Sequence, residues 1–247
     1  MIQLKGVEKS FGKQVVLQGV DLEIPTGKLT TIIGPSGEGK SVLLKHIIGL
    51  LRPDRGEVWI DDVEISHMKD KALNTVRKRF AMLFQSAALF DSMNVFDNVA
   101  FPLREKRLAT EADLPRIVDG MLERVGLINM EHKFPAELSG GMKKRVGLAR
   151  ALVMGPEIIL FDEPTTGLDP LMAKTIHDLI RAMQKIFGFT GIMVSHEIPE
   201  VFPISDWVGM LKNGKIIAMA PSGKFQKIKD PRVQEFISVG ECVGSSA

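Results

Sequence analysis

Apolar and polar positions alternate through the first 24 residues: Ile2, Leu4 and Val7, then Val15-Val16-Leu17, then Val20, Leu22 and Ile24. A period near two marks half-buried strands, so this stretch predicts a lobe of short β-strands separated by turns. The pattern then changes. Leu29 to Ile33 is a short apolar-rich run ending at Gly34, which predicts a strand buried in a parallel sheet. Ser41 to Leu51 carries Val42, Leu43, Leu44, Ile47 and Ile48 in helical order, and Pro53 marks its end. Gly56–Ile60, Phe80–Phe84, Ile158–Phe161 and Gly191–Val194 read as further strands. Leu171–Phe187 reads as a helix between the last two, a β-α-β unit favouring parallel pairing. Residues 86–150 read as mainly helical, including Glu111–Val125 and the helix following Gly141. The expected architecture is α/β: a core formed by 1–85 and 151–240 with an antiparallel β lobe, a helical insertion at 86–150, and a short tail at 241–247 expected to fray.

Composition narrows the class. At 247 residues and 45% apolar content the chain can bury a sizeable core. A net charge of +2 makes no electrostatic case for nucleic acid. The single Cys242 cannot form an internal disulfide, which fits a reducing compartment. No stretch approaches the ~18 consecutive apolar residues of a spanning helix, and the N-terminus lacks the apolar core of a signal peptide. A cytosolic chain that reaches a membrane only through a partner is the expectation.

Two motifs carry chemistry. Gly34-Pro35-Ser36-Gly37-Glu38-Gly39-Lys40-Ser41 matches G-x-x-x-x-G-K-[ST] in full, between a predicted strand and a predicted helix. Such a loop turns backbone N–H groups inward around phosphates, and the helix running on through Val42 adds its positive end. Lys40 supplies a point charge for the β- and γ-phosphates, and the Ser41 hydroxyl can ligate Mg²⁺. Ile158-Ile159-Leu160-Phe161-Asp162-Glu163 is a strand delivering two carboxylates at its C-terminal end, where open α/β sheets bind ligands. Asp162 suits a Mg²⁺ shell and Glu163 suits the polarising of an attacking water. The clusters Arg77-Lys78-Arg79 and Lys143-Lys144-Arg145 are expected mainly on solvated helix faces. His46, His67, His132 and His177 lack metal-ligand spacing.

Between the two motifs stands Leu138-Ser139-Gly140-Gly141-Met142. A P-loop, this segment and an Asp-Glu strand, in that order, resemble the ATP-binding subunit of ABC transporters, and the resemblance runs from about Leu4 to Ile237. It implies a P-loop NTPase core of RecA-like type forming, with the β lobe and helical subdomain, one ABC ATPase domain over 1–247. It also implies that Ser139, Gly140 and Gly141 cap ATP held by a second copy, so that the working unit is a homodimer closing on ATP and Mg²⁺. By the same resemblance Gln85 senses Mg²⁺ and water, Asp169 lies in the loop that meets the partner, and His196 touches the γ-phosphate. Phe11 stands where the family stacks an aromatic on adenine, more often a tyrosine; an ordinary apolar contact competes with that reading.

Within the family, Met82–Glu105 and Asp230–Phe236 are similar to the ATPases of Mla-type lipid transporters. That similarity implies an integral-membrane permease, an MCE-domain lipid-binding protein and room for a small regulatory subunit as partners. It implies no nucleic acid, and a place on the cytoplasmic side of the inner membrane. Other classes fit less well. Ribosome-acting ABC proteins usually carry two cassettes, and here there is one P-loop. DNA-repair types insert long coiled coils or cysteine-rich zinc modules. A P-loop kinase or GTPase has no use for Leu-Ser-Gly-Gly.

Overall fold

The computed structural model describes the backbone of residues 1–244 and the side chains of residues 1–238. Strands β1 (Ile2–Phe11), β2 (Gln14–Ile24), β4 (Arg55–Ile60) and β5 (Val63–Glu64) form an antiparallel sheet in the order β2-β1-β4-β5. The alternation in the sequence is the reason: Ile2, Leu4, Val7, Leu17, Val20, Leu22 and Ile24 all point into one core.

The second sheet has six strands in the order β10-β9-β3-β8-β7-β6. They are β3 (Leu29–Ile33), β6 (Phe80–Leu83), β7 (Ile158–Asp162), β8 (Thr190–Ser195), β9 (Trp207–Lys212) and β10 (Lys215–Pro221). β9, β3, β8, β7 and β6 run parallel, and β10 returns antiparallel to β9. Its centre is buried on both faces. Along β7, Ile159 and Phe161 join one core cluster, whereas Ile158 and Leu160 join the other. That two-sided burial explains the unbroken apolar run.

Helices fill the connections: α1 (Lys40–Ile47), α2 (Asp70–Arg77), α3 (Val95–Glu105), α4 (Leu114–Arg124), α5 (Gly140–Leu152), α6 (Pro170–Phe187), α7 (Ser222–Phe225) and α8 (Pro231–Gly244). α3, α4 and α5 pack on one another through Val99, Leu103, Val118, Leu122, Val146 and Leu148. The hairpin β9–β10 and helix α2 had no clear signal in the sequence. The expected tail differs too: residues 241–244 continue α8, which is anchored by buried Val233 and Ile237, while 245–247 lie outside the described residues.

The basic clusters keep to the expected solvated faces only in part: Lys78 is exposed, but most of the others are partly buried. Lys144 is 5% exposed. Arg77 donates to the carbonyls of Ile48 and Gly49, Arg79 to Glu157 and Asp61, and Arg145 to the carbonyl of Val125. Arg77 and Arg145 put their tips on backbone carbonyls and Arg79 on two carboxylates, pairings that linear charge patterning does not show.

Candidate functional site

Sheet register assembles the site. Ile33 pairs with Ser195, Val194 with Asp162, and Phe161 with Leu83. The residues just past these pairs therefore emerge at one edge: Gly34, His196, Glu163 and Gln85. This is the C-terminal edge of a parallel sheet, where helix N-termini and loops leave room for a ligand.

The P-loop turns on backbone that glycine alone tolerates. Gly39 caps α1 with φ 95°, and a Cβ there would meet Val16 Cγ1 at 2.7 Å. A Cβ at Gly34 would overlap the carbonyl oxygen of Leu211. No side chain caps α1, so its first-turn N–H groups stay available to an anion. Ser36 and Gly37 form the exposed tip, Pro35 and Val42 are half-buried, and Val42 packs on the core behind. Glu38 accepts a hydrogen bond from the Asn213 amide, tying the loop to the β9–β10 turn.

Lys40 is 4% exposed, and its ammonium donates to the carbonyls of Gly34 and Pro35, both at 2.9 Å. Burial pulls its pKa below the usual lysine range, although Glu163 at 3.7 Å opposes that shift. The Ser41 hydroxyl donates to Asp162 Oδ1 at 2.7 Å, across 121 residues of sequence. Two adjacent hard oxygens suit Mg²⁺, which takes one or two protein ligands and completes its octahedron with phosphate and water. Among the described residues no group of three or more His, Cys, Asp or Glu forms a self-sufficient metal cage.

Glu163 has φ 47°, unusual for a residue with a side chain and concentrated at functional sites. Its carboxylate accepts from Thr166 Oγ1 at 3.1 Å, and His196 Nδ1 lies 3.3 Å away. The His196 ring is 41% exposed. Gln85 is exposed; its backbone carbonyl is gripped by the buried ammonium of Lys144. The next turn contains Ala87 and Ala88, both at positive φ, and Arg150 Nη2 donates to Ala87 O at 2.8 Å. Asn98, fully buried, bonds the amide of Phe90 and the carbonyls of Phe90, Met93 and Asn94.

Lys144, Arg150 and Asn98 thus fix the segment after Gln85, and none was singled out for this from sequence. A signal existed for Lys144. Gly141, Lys144, Leu148 and Ala151 share the i, i+3, i+7, i+10 face of α5 that is buried.

The remaining expected residues stay apart from this centre within one chain. Ser139 is the N-cap of α5, where its hydroxyl accepts from Met142 N at 3.3 Å. Ser139 and Gly140 are exposed, while Gly140 and Gly141 pack against Leu168 and Met172 of the segment around Asp169. Asp169 is exposed and N-caps α6. Phe11 ends β1, 46% exposed, with Lys9 Nζ 5.7 Å from its ring centre. A cleft of about 410 Å³ lined by Asp61, Arg79 and Glu157 opens beside Ile158 and Thr190, at the opposite edge of the sheet, and takes no part in this site.

A glycine-rich loop leading into α1, a paired serine and aspartate, a glutamate–histidine pair and an exposed Ser-Gly helix start on one α/β frame are the features of an ATP-binding cassette. The comparisons agree: residues 17–166 match the family described as ABC transporter, and the chain belongs to it. It is an ATPase that binds and hydrolyses ATP. The intermembrane phospholipid transport system ATP-binding protein MlaF of Escherichia coli (strain K12) is 43% identical over 237 residues, 96% of this chain and 88% of that protein. The probable ribonucleotide transport ATP-binding protein mkl of Mycobacterium leprae (strain TN) is 44% identical over 237 residues, 96% of this chain and 68% of that protein. Among solved structures, the dimeric post-hydrolysis cassette MJ0796 bound to ADP and Pi superposes with a TM-score of 0.80 at 31% identity, covering 90% of this chain and 99% of that one.

Proposed function

We propose that this chain is the ATP-hydrolysing motor of a transporter that moves phospholipid between inner and outer membranes. The identity to MlaF over 88% of that protein's length carries the reading of the substrate. The name of mkl supports a second reading, ribonucleotide transport, over a smaller share of that relative. No described helix is long and apolar enough to cross a membrane, so the translocating path is assigned to an integral-membrane permease. An MCE-domain lipid-binding protein and a small regulatory subunit complete the proposed assembly, on the cytoplasmic face of the inner membrane.

The geometry and the family resemblance together support the following roles. The P-loop amides and Lys40 hold the phosphates, with Phe11 against the adenine. To reach them, Lys40 exchanges the carbonyls of Gly34 and Pro35 for phosphate oxygens. Ser41 and Asp162 hold Mg²⁺ with Gln85 nearby; when bound, the ion neutralises charge developing on the β- and γ-phosphates. Glu163 orients the attacking water and takes its proton, and His196 pairs with the γ-phosphate beside it. Ser139 and Gly140 stay exposed in one chain with Gly141 buried just behind them, which supports a role for this helix start against ATP on a second copy, with Asp169 at the contact. The dimeric MJ0796 cassette supports that arrangement.

The test is affinity purification of the tagged chain from native membranes in mild detergent, with mass spectrometry of proteins and lipids. Recovery of a multi-span permease, an MCE protein and phospholipid supports the proposal. A permease without phospholipid or MCE protein defeats the lipid assignment while leaving the motor.

A further inference from the structure

Beneath the Glu163–His196 pair runs a buried polar chain that the roles above do not use. Thr165 and His177 are each 1% exposed. Thr165 Oγ1 has one proton and gives it to Glu197 Oε2, because a carboxylate can only accept. The 3.3 Å approach of His177 Nε2 to the same hydroxyl is therefore a donation from the imidazole. This fixes the tautomer: Nε2 carries the proton, and Nδ1 is bare and buried without a partner.

Both ends of the chain are anchored. Glu197 N donates to Ser195 Oγ at 3.0 Å, and Ser195 is the buried last residue of β8. His196, half-exposed between them, is thus flanked by two fixed residues. On the other side, Thr166 follows Thr165 and donates to Glu163 Oε2. The loop after β7 and the loop after β8 are joined twice, by Glu163 with His196 and by Thr165 with Glu197. His177 sits about two turns into α6, whose N-cap is Asp169. An apolar core would avoid the unpaired imidazole nitrogen, and such exceptions in native structures call for an explanation.

We propose that His177, Thr165 and Glu197 form a positioning relay that holds His196 against Glu163 and transmits the placement of α6 to that pair. It rests on the reading of Glu163 and His196 as hydrolytic residues. None of the three relay residues belongs to the set given a nucleotide or Mg²⁺ role above. The Thr165–Glu197 bond sets the angle at which the chain leaves β8, and His177 keeps the hydroxyl aimed at Glu197 by occupying its acceptor side.

Thr165→Val removes the hydroxyl at nearly constant volume, and Thr165→Ser restores it. ATP hydrolysis by the full chain in its native-membrane preparation is measured for wild type, both variants, His196→Ala and the Thr165→Val/His196→Ala double variant, each with a melting curve. The expected result for Thr165→Val is a fall in kcat of about tenfold or more with KM for ATP within about twofold, the signature of misplaced chemistry. Thr165→Ser recovers most of the rate, and Thr165→Val adds almost nothing in the His196→Ala background, because the relay acts through that residue. A multiplicative loss in the double variant overturns the relay while leaving His196 its role. A normal rate in His196→Ala overturns the role of His196 and the relay with it. Should Thr165→Val fail to fold, Glu197→Gln, which keeps an accepting oxygen, and Glu197→Ala, which does not, put the same question through their kcat ratio.

Discussion

Removing the buried imidazole should change how stability responds to pH. Burial lowers the pKa of His177 from 6.5 to about 4, with Asp178 opposing only weakly. A second proton would go to Nδ1, where the new N–H would find no acceptor. The unfolded chain therefore binds a proton near pH 6.5 that the folded chain refuses until about pH 4. Between those values the unfolded state holds more protons, so stability falls as pH drops. Using the two pKa values, lowering pH from 7 to 5 costs about 2 kcal/mol through this group, and the loss levels off below pH 4 near 3 kcal/mol. His46, also buried and also shifted downward by burial, adds in the same direction. Comparison with a His177→Gln variant isolates the first group, since glutamine can still donate to Thr165 but does not titrate. Urea unfolding at pH 5, 6 and 7 without nucleotide gives the free energies by linear extrapolation. The gap between wild type and variant should narrow by about 2 kcal/mol from pH 7 to pH 5. A gap constant to within about 0.5 kcal/mol across that range would refute a His177 held neutral by burial.

Three further outcomes follow from the site and its supports. Glu163→Gln should lower kcat by about 10² to 10⁴ while leaving ATP affinity nearly unchanged, read by turnover alongside equilibrium nucleotide binding; near-normal turnover would remove Glu163 as the base. In Gly34→Ala the new methyl meets Leu211 O, so the P-loop must shift and ATP affinity should drop by about tenfold or more, on the order of 1.4 kcal/mol; an unchanged dissociation constant would mean the loop absorbs the methyl. Asn98→Ala removes bonds to four backbone groups after Gln85, and at about 1 kcal/mol each, with partial rehydration, it should lower unfolding free energy by about 2–4 kcal/mol. A cost under about 1 kcal/mol would show that water replaces it.

The sequence by itself determined most of the elements, the β9–β10 hairpin and α2 excepted, and the class of nucleotide chemistry. Periodicity two in the first 24 residues, the apolar runs at 29–33 and 158–161 and the phosphate-loop spacing are local, and short-range sterics and burial act on them directly. Ser139 and Asp169 were singled out by the family resemblance, and in the fold each caps the helix that follows it. Two things were decided only by the tertiary structure. One is the meeting of Ser41 with Asp162 and of Glu163 with His196, which depends on the order of strands β3, β8 and β7; pairing between distant strands leaves no periodic trace along the chain. The other is the fate of buried polar groups. Arg150 and Asn98 look like ordinary polar residues in a helical stretch, Lys144 betrays only that it lies on an apolar face, and His177 looks like a lone histidine. What each does depends on which carbonyl, carboxylate or hydroxyl lies across from it once the helices pack. Burial makes those partners obligatory, and only the packed fold supplies them.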